Sequence, residues 1–313
     1  MNVMLLYVLK SEGSSPGRRG FKMAVSADND FTGTIGGGIM EFKLAEKAKI
    51  LLQQNENRII IQHQFHDKEH SSLQSGMICS GSQLNAFIPL SQIDIQTVGE
   101  IADAIQSEKK KSMQLSPAGL KITELSKIDL QYNSDADWLY SEPVFQQPVI
   151  HIIGGGHVSL ALSELMQFLG FYVKLYDDRP GLNTIQQNLF ANEKHIVAYE
   201  TICNYLDLSK EDFVVIMTIG YRTDKLVLKQ LLDQDIFYLG LLGSEKKTET
   251  LLEELRNEGI AENLLQKVFT PIGINIYSQT TKEIAVSIAA EIIREKNKIL
   301  PMGRSGSYYK RKD

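Results

Sequence analysis

The sequence has no uncharged apolar run that approaches the roughly 18 residues of a transmembrane helix, so we do not expect it to cross a membrane. Basic residues are not in excess either: 33 Lys and Arg stand against 38 Asp and Glu, a net charge of -5. Nucleic-acid binding is not expected, because affinity for the phosphate backbone comes from clustered Lys and Arg. The only two cysteines, Cys79 and Cys203, fit a reducing cytoplasm and exclude a disulfide scaffold.

Familiar catalytic motifs are missing as well. The sequence has no Ser-His-Asp arrangement of the hydrolase type, no H-E-x-x-H zinc motif and no Walker phosphate loop, so hydrolase and kinase activities lack support. The opening segment, MNVMLLYVLK, is too short for a signal peptide and has no small-residue cleavage site. Its alternating apolar residues predict a buried strand instead.

Length and pattern predict two domains. A chain of 313 residues suits about two domains of ordinary size. Pro143 and Pro148 mark the predicted linker, which gives an N-terminal domain over residues 1–146 and a C-terminal domain over residues 147–313. The first is predicted to be a smaller α+β domain that ends in strands or a hairpin turning near residues 133–135. Its predicted strands and helices cover residues 3–9, 21–26, 39–54, 59–65, 84–89 and 97–109.

Beyond the linker, short apolar runs alternate with helices. This order is typical of a Rossmann-type parallel sheet with helices on both faces. The last helix begins with the capping box of Thr280 and Glu283. The predicted strands cover residues 149–153, 172–176, 195–198, 213–217 and 237–241. The predicted helices cover residues 157–169, 223–232, 245–257 and 282–296.

The strongest local signal runs from Val149 to Pro180, in the order strand, glycine turn, helix, strand and acidic residues. Gly154 permits a tight turn, and Gly156 lets the backbone approach a phosphate without a Cβ. Gly155, between them, completes the predicted cofactor-binding turn. The free N–H groups at the start of the helix supply an anion site. The segment therefore predicts a site for a phosphate-bearing cofactor, although a Rossmann-like domain that binds nothing has the same pattern.

Polar residues flank this turn. Asp177 follows Gly154 by 23 residues, at the end of the second strand, where a ribose-binding carboxylate belongs. His157 at the helix start either contacts a ligand oxygen or caps the turn. Asp178 and Arg179 form either a solvated pair or a polar rim to the site.

A second glycine-rich loop, GTIGGGIME, occupies residues 33–41. Gly36, Gly37 and Gly38 offer bare N–H groups at the positive end of a helix. Glu41, in the first turn, either binds an amide-rich ring or favours the helix dipole. A tight turn without a ligand is the alternative.

Two further residues are candidates for ligand contact. Arg18, beside Arg19 in a glycine-rich stretch, either binds an anion through its guanidinium group or is an ordinary surface residue. Cys79 lies between glycines on a polar loop, unlike a structural cysteine, which normally sits in an apolar run. Its alternative role is that of an inert thiol.

These segments together resemble the xanthine dehydrogenase accessory proteins of the XdhC/CoxI type. The resemblance covers nearly the whole chain apart from residues 91–139. Gly243 and Ser244, at the end of the motif LGLLGS within one of the matching segments, join the candidate ligand set. In chain order, those segments are GSSPGRRGFKM, GTIGGGIME, GMICSG, IIGGGHVSLAL, YDDRP, FYLGLLGSEKKTETLLEELRNEGI, PIGINI and EIAVSIAAEII.

The resemblance implies a chaperone that binds the molybdenum cofactor (molybdopterin), protects it, and delivers it to xanthine dehydrogenase or a related molybdenum hydroxylase. It implies that Cys79 contacts the molybdenum, since a thiolate is a soft ligand. The glycines at 36–38 or those at 154–156 would hold the phosphate end. A cysteine desulfurase and a second copy of the chain are further expected partners, and the cytoplasm is the expected location.

An enzyme is the main alternative. An NAD(P)-dependent oxidoreductase would use the same Rossmann turn, and Asp177 is placed as an NAD-binding acid would be. We find no convincing proton donor or hydride-transfer site after the second strand, so an accessory protein without its own turnover is the favoured interpretation. A redox-regulatory module that senses a nucleotide is a third hypothesis.

Overall fold

The computed structural model of the chain describes residues 3–13, 15–28, 30–65, 81–107, 111–144 and 147–299. The chain divides into two compact units, and the division falls between Gln146 and Gln147. Among the described residues, no helix is both long and apolar enough to span a lipid bilayer.

The first unit opens with an antiparallel sheet of five strands in the order β3-β2-β1-β5-β4. Helix α1 covers one face of this sheet, because Met40, Leu44 and Ala48 recur at helical spacing and pack on Leu6 and Phe87. The elements are β1 (Val3–Gly13), β2 (Lys22–Ser26), β3 (Phe31–Thr34), α1 (Gly38–Gln53), β4 (Ile60–Phe65) and β5 (Gly81–Leu90).

A second antiparallel sheet, in the order β7-β6-β9-β8, packs against the other face of the first. Trp138 and Tyr140 from this sheet share a buried cluster with Tyr7, Leu9 and Ile88 from the first one. The hairpin predicted near residues 133–135 is confirmed, since Ser134 pairs with Asp137. The elements are α2 (Ile95–Gln106), β6 (Lys111–Ser116), β7 (Gly119–Glu124), β8 (Asp129–Ser134) and β9 (Asp137–Pro143).

The second unit contains a six-stranded sheet in the order β12-β11-β10-β13-β14-β15, and every neighbouring pair is parallel. Relative to the first strand of the unit, this is the order 3-2-1-4-5-6 of a dinucleotide-binding Rossmann fold. The strands are β10 (Val149–Ile153), β11 (Tyr172–Asp177), β12 (Glu193–Ile196), β13 (Phe213–Ile216), β14 (Tyr238–Leu241) and β15 (Val268–Phe269). The helices are α3 (His157–Phe168), α4 (Asn183–Gln187), α5 (Tyr221–Leu231), α6 (Glu245–Asn257), α7 (Glu262–Leu265) and α8 (Thr281–Ile299).

Helices cover both faces of this sheet. On one face, α3 and α8 bring Leu162 and Ile288 onto strand residues such as Ile152. On the other face, α5 and α6 contribute Val227 and Leu251. The predicted Rossmann-type fold after a mixed α/β N-terminal part is confirmed.

Most predicted element boundaries agree with the structure to within a few residues. Among the described residues, the short elements β3, β15, α4 and α7 were not predicted; they span two to five residues each. Segments this short carry too few residues to show a hydrophobic period. The capping box of α8 is present, with the N–H of Glu283 donating to Oγ1 of Thr280 and the N–H of Thr280 donating to Oε2 of Glu283.

Candidate functional site

The glycine turn lies at the point where the strand order of the second unit reverses. β10 and β13 are neighbours, and the later strands of each half lie outward from them on opposite sides. Open α/β sheets bind ligands at the carboxyl ends of the strands at such a point. The glycine turn after β10 contacts the loop after β13 at this point: a Cβ on Gly154 would lie 2.2 Å from the carbonyl oxygen of Met217. With φ at +110°, this position accepts only glycine.

The next two glycines differ in the space around them. A Cβ on Gly155 would lie 2.5 Å from Cγ1 of Ile185, so the side chain of Ile185 fills the space next to this glycine. A Cβ on Gly156 would meet no atom within 4 Å. His157, the first residue of α3, is exposed beside it. The open space therefore lies at Gly156 and the helix start, where the first N–H groups have no partner within the helix.

Asp177 lies at this edge of the sheet but faces inward. Its Oδ2 accepts hydrogen bonds from the N–H of Gly155 at 2.6 Å and from Nη2 of Arg179 at 2.7 Å. Its Oδ1 accepts from the backbone N–H and Nε of Arg179, at 2.9 and 2.8 Å. Burial acts to raise the pKa of Asp177, but the hydrogen bonds from Arg179 and Gly155 outweigh it and hold that pKa below its usual value.

This geometry does not support the ribose contact expected of Asp177. The side chain is fully buried, so neither oxygen is accessible to a ligand hydroxyl. Asp178 is exposed instead, and its Oδ1 lies 3.7 Å from Nε of Arg179. Asp178 and Arg179 thus form a partly exposed polar rim at the end of β11.

A second polar cluster, formed by Thr218, Asp224 and Lys247, lies beside the glycine turn. Asp224, fully buried at the start of α5, accepts hydrogen bonds from the N–H and Oγ1 of Thr218, at 3.0 and 2.5 Å. Nζ of Lys247 lies 2.5 Å from its other oxygen. The Cα of Thr218 would lie 2.9 Å from a Cβ on Gly154, so the cluster borders the turn.

Gly243 and Ser244 place Lys247 in this cluster. They follow β14, and Ser244 caps α6 by accepting the N–H of Lys247 at 3.4 Å. A Cβ on Gly243 would lie 2.9 Å from Cγ2 of Thr248, so the loop packs tightly on the first turn of the helix. The sequence feature that could have indicated the position of Lys247 is its place three residues after a helix-capping serine, Ser244.

In the first unit, the N–H groups of the glycine loop before α1 already bind a carboxylate of the chain, that of Glu41. Oε2 of Glu41 accepts hydrogen bonds from Oγ1 of Thr34 at 2.6 Å and from the N–H groups of Ile35 and Gly37 at 2.8 and 3.0 Å. Burial acts to raise the pKa of Glu41, and these hydrogen bonds lower it overall. The loop before Gly38 is therefore organised around a carboxylate from its own helix.

Arg18 lies on the neighbouring loop of the same unit, where its Nη1 donates to the carbonyl oxygen of Gly13 at 3.2 Å. The two loops are joined by the buried Gln83. Its Oε1 accepts the N–H of Gly17 at 3.3 Å, and its Nε2 donates to the carbonyl oxygen of Ile35 at 3.1 Å. The structure thus brings together the loops of Arg18 and Glu41, which the sequence separates.

Cys79 falls outside the described residues, so its predicted contact with a metal stays a prediction. β5 begins two residues later at Gly81, which pairs with Gly13 at the end of β1. Within the described part of the chain, no group of three or more His, Cys, Asp or Glu side chains is arranged to hold a metal ion.

Two family models match the chain. Residues 150–292 match the model described as the XdhC Rossmann domain, and residues 2–64 match the model described as the XdhC and CoxI family. The first match contains the whole glycine turn, the polar residues 177–179 and the cluster of Thr218, Asp224 and Lys247. The second match contains the loops of Arg18 and Glu41.

Individual proteins show the same likeness. The uncharacterized protein YqeB of Escherichia coli (strain K12) is 29% identical over 293 residues, which are 93% of this chain and 43% of that protein. The chain therefore spans less than half the length of that relative. A probable xanthine dehydrogenase subunit of Bacillus subtilis (strain 168) is 22% identical, over 95% of this chain and 94% of that protein. The crystal structure of a xanthine dehydrogenase from Bacillus halodurans has the same fold, with a TM-score of 0.72, 22% identity, and coverage of 99% of this chain and 94% of that one.

Proposed function

This chain belongs to the XdhC and CoxI family of xanthine dehydrogenase accessory proteins, and on that basis we propose that it acts in the maturation of xanthine dehydrogenase or a related molybdenum hydroxylase. In that role it binds the molybdenum cofactor, protects it and delivers it to the enzyme. The cofactor is cargo, which supplies its chemistry only in the enzyme that receives it. The chain itself needs no turnover for this function.

The open space at Gly156 carries the proposal. Protein atoms fill the space next to Gly154 and Gly155. The backbone at Gly156, where α3 begins, has open space beside it. A phosphate fits such a place, since it accepts hydrogen bonds from bare N–H groups and is favoured by the helix dipole. We assign the phosphate end of the cofactor to Gly156 and His157. The loop of Glu41 is a weaker candidate, because a carboxylate of the chain already accepts its N–H groups.

The metal end is assigned to Cys79 from its residue type and its place in the sequence. A thiolate is a soft ligand suited to molybdenum bound by a dithiolene. The expected partners are the receiving hydroxylase, a cysteine desulfurase that serves the same cofactor, and a second copy of the chain. We propose the cytoplasm as the location.

An NAD(P)-dependent oxidoreductase is the second candidate. The strand order 3-2-1-4-5-6 favours it, because many folds of this order bind dinucleotides. The complete burial of Asp177 argues against the usual ribose contact at that residue.

Binding measurements separate the two candidates. The purified protein is titrated anaerobically with molybdenum cofactor released from a molybdoenzyme, and separately with NAD⁺ and NADP⁺, and binding is followed by absorbance and by melting temperature. Saturable binding of the pterin supports the proposal. Saturable binding of a nicotinamide nucleotide with none of the pterin would overturn it.

Two matched variants locate the site. Gly156→Leu fills the open space at the crevice, whereas Gly99→Leu fills an equally open position on α2 of the first unit. We expect the first to abolish pterin binding and the second to preserve it. Cys79→Ala should weaken retention of the molybdenum form, and unchanged retention would remove Cys79 from the site.

A further inference from the structure

Helix α2 of the first unit presents apolar side chains to solvent. In its described range, Ile95–Gln106, Ala104 is the one buried residue. Ile95, Val98 and Ile105 are 42–66% exposed, and Ile93, just before the helix, is 89% exposed. Positions i, i+3 and i+10 fall on one side of an α-helix, so the three helix residues form an apolar stripe. An amphipathic helix normally turns such a stripe toward a protein interior, and an exposed stripe is typical of a docking surface.

Two carboxylates lie on the same helix. Glu100 and Asp103 line a groove of about 280 Å³ between α2 and β7, together with Ile122 of that strand. The groove also contains Lys111 and Glu124, which pair with each other. None of the ion pairs among the described residues involves Glu100 or Asp103. An apolar wall beside two carboxylates fits the long apolar stem and the charged end of a Lys or Arg side chain.

Residues 300–313, which follow the last described helix, have the complementary composition. The whole chain has a net charge of -5, yet this segment, LPMGRSGSYYKRKD, contains one acid and four basic residues: Arg304, Lys310, Arg311 and Lys312. Its large uncharged side chains are apolar or aromatic: Leu300, Met302, Tyr308 and Tyr309. The segment therefore combines the two properties that the exposed side of α2 would bind.

The segment is also long enough to cover the helix. Fourteen residues in an extended conformation span roughly 45 Å, at about 3.3 Å per residue. The 12 residues of α2 span only about 18 Å, at about 1.5 Å per residue. A part of the segment can thus contact the apolar stripe while its basic end reaches the groove.

We propose that α2 is the docking surface for residues 300–313 of this chain. The apolar and aromatic side chains of the segment cover the stripe of Ile95, Val98 and Ile105, and its basic end pairs with Glu100 and Asp103. Exposed ion pairs are individually weak, so burial of the stripe supplies most of the affinity and the charges set the orientation. The inference goes beyond the proposed function and does not require that a pterin binds.

Carbodiimide cross-linking of the full chain tests this contact without any substitution. The reagent joins a lysine amine to a carboxylate that it touches, and the joined peptides are identified by mass spectrometry. We expect Lys310 or Lys312 to be joined to Glu100 or Asp103. The yield should fall by at least about threefold at roughly 1 M salt, where the screening length is only about 3 Å.

The ion pair of Lys111 and Glu124 is the internal control, because its cross-link should form in the same sample. If that product forms while the segment is joined to other carboxylates only, or to none, the proposal is overturned. Cross-links from Glu100 or Asp103 to Lys43 of a second copy would show that another chain covers this face, and would overturn it as well.

Charge reversal tests the same contact in a second way. The double variant Lys310→Glu with Lys312→Glu leaves α2 unchanged, and we expect the amides of α2 to exchange hydrogen for deuterium at least about threefold faster than in the wild type. Glu100→Lys with Asp103→Lys should have the same effect. Combining all four substitutions restores opposite charges, so exchange should return to within about twofold of the wild-type rate.

A matched control reverses two exposed carboxylates elsewhere. Glu249→Lys with Glu253→Lys, on α6 of the second unit, changes the net charge equally and should leave exchange in α2 unchanged. Additive effects in the fourfold variant of α2 and the segment would contradict the proposal. None of these measurements uses a pterin, so they are independent of whether the cofactor binds.

Discussion

The backbone nitrogen of Gly155 lies 2.6 Å from Oδ2 of Asp177, so the turn after β10 is hydrogen-bonded to the end of β11. The same oxygen accepts Nη2 of Arg179 at 2.7 Å. Because the carboxylate is fully buried, water cannot replace these donors. This contact stabilises the conformation in which Gly156 remains open.

Replacing Asp177 with Asn should destabilise the second unit. The amide keeps the volume but presents an NH₂ group where one oxygen accepted two hydrogen bonds, and buried donors lose their partner. We expect a loss of about 1–3 kcal/mol in the free energy of unfolding, measured by urea denaturation. Asp178→Asn, at the exposed neighbour, should change it by less than about 0.5 kcal/mol. Equal stability of the two variants would show that the buried hydrogen bonds of Asp177 make no net contribution to the free energy of unfolding.

The glycines at positions 154 and 156 should respond differently to Ala. Gly154→Ala forces a Cβ to 2.2 Å from a carbonyl oxygen at a φ of +110°, so we expect a loss of about 2 kcal/mol or more. Gly156 has a φ of -74° and open space, so Gly156→Ala should keep the wild-type melting temperature. Thermal unfolding of both variants gives the comparison. A destabilised Gly156→Ala would mean that this space is not free.

Stability at acid pH should depend on Glu41. Its pKa is lowered in the folded protein from an ordinary value of 4.5, so the charged form stabilises the fold above that pH. This stabilisation is lost as the pH falls below about 4.5 through the lowered folded-state pKa. The difference in melting temperature between wild type and Glu41→Gln should be constant from about pH 8 to 6 and shrink below about pH 4.5. Glu46→Gln, at a half-buried position of the same helix where the carboxylate pairs with Lys49, is the control, and a pH-independent difference for Glu41→Gln would contradict the assignment.

Lys247 should be needed for stability because it pairs with a buried charge. Lys247→Met leaves the fully buried Asp224 without its cation, and we expect a loss of about 2 kcal/mol, given that the lysine is itself partly exposed. Lys246→Met, at the exposed neighbour, should have little effect. The double variant Asp224→Asn with Lys247→Met should recover part of the loss, since no charge is then unpaired. Additive losses in this cycle would show that the two side chains are not coupled.

The regular elements of the second unit could be predicted because their patterns are strong. The α6 helix occupies Glu245–Asn257, the predicted range, since a capping serine precedes it and good helix formers fill it. β13 consists of four buried apolar residues, the pattern of a strand covered on both faces. The sheets of the first unit were harder to predict, because antiparallel pairing joins residues far apart in sequence, such as Leu6 and Phe87.

The sequence placed the candidate residues near the site but did not give the direction of each side chain. Asp177 and Asp178 are neighbours in the chain, yet one side chain is buried and the other exposed, because β11 ends at Asp177 and Asp178 lies just beyond it. Nothing local to Lys247 indicates that it reaches Asp224, because 23 residues separate them. Glu41 was placed correctly at the first turn of its helix, but its hydrogen bonds to Ile35 and Gly37 depend on how the loop folds back.

The sequence alone determined the Rossmann character of the second unit and the position of its glycine turn, since both depend on local pattern: apolar runs, helix formers and glycine spacing. The family resemblance followed from the same segments. Only the tertiary structure decided that Gly156 is the open glycine and that Asp177 supports the turn while Asp178 faces outward. Those properties depend on which strands and loops meet at the carboxyl edge of the sheet, and the atoms that meet there come from segments distant in the chain.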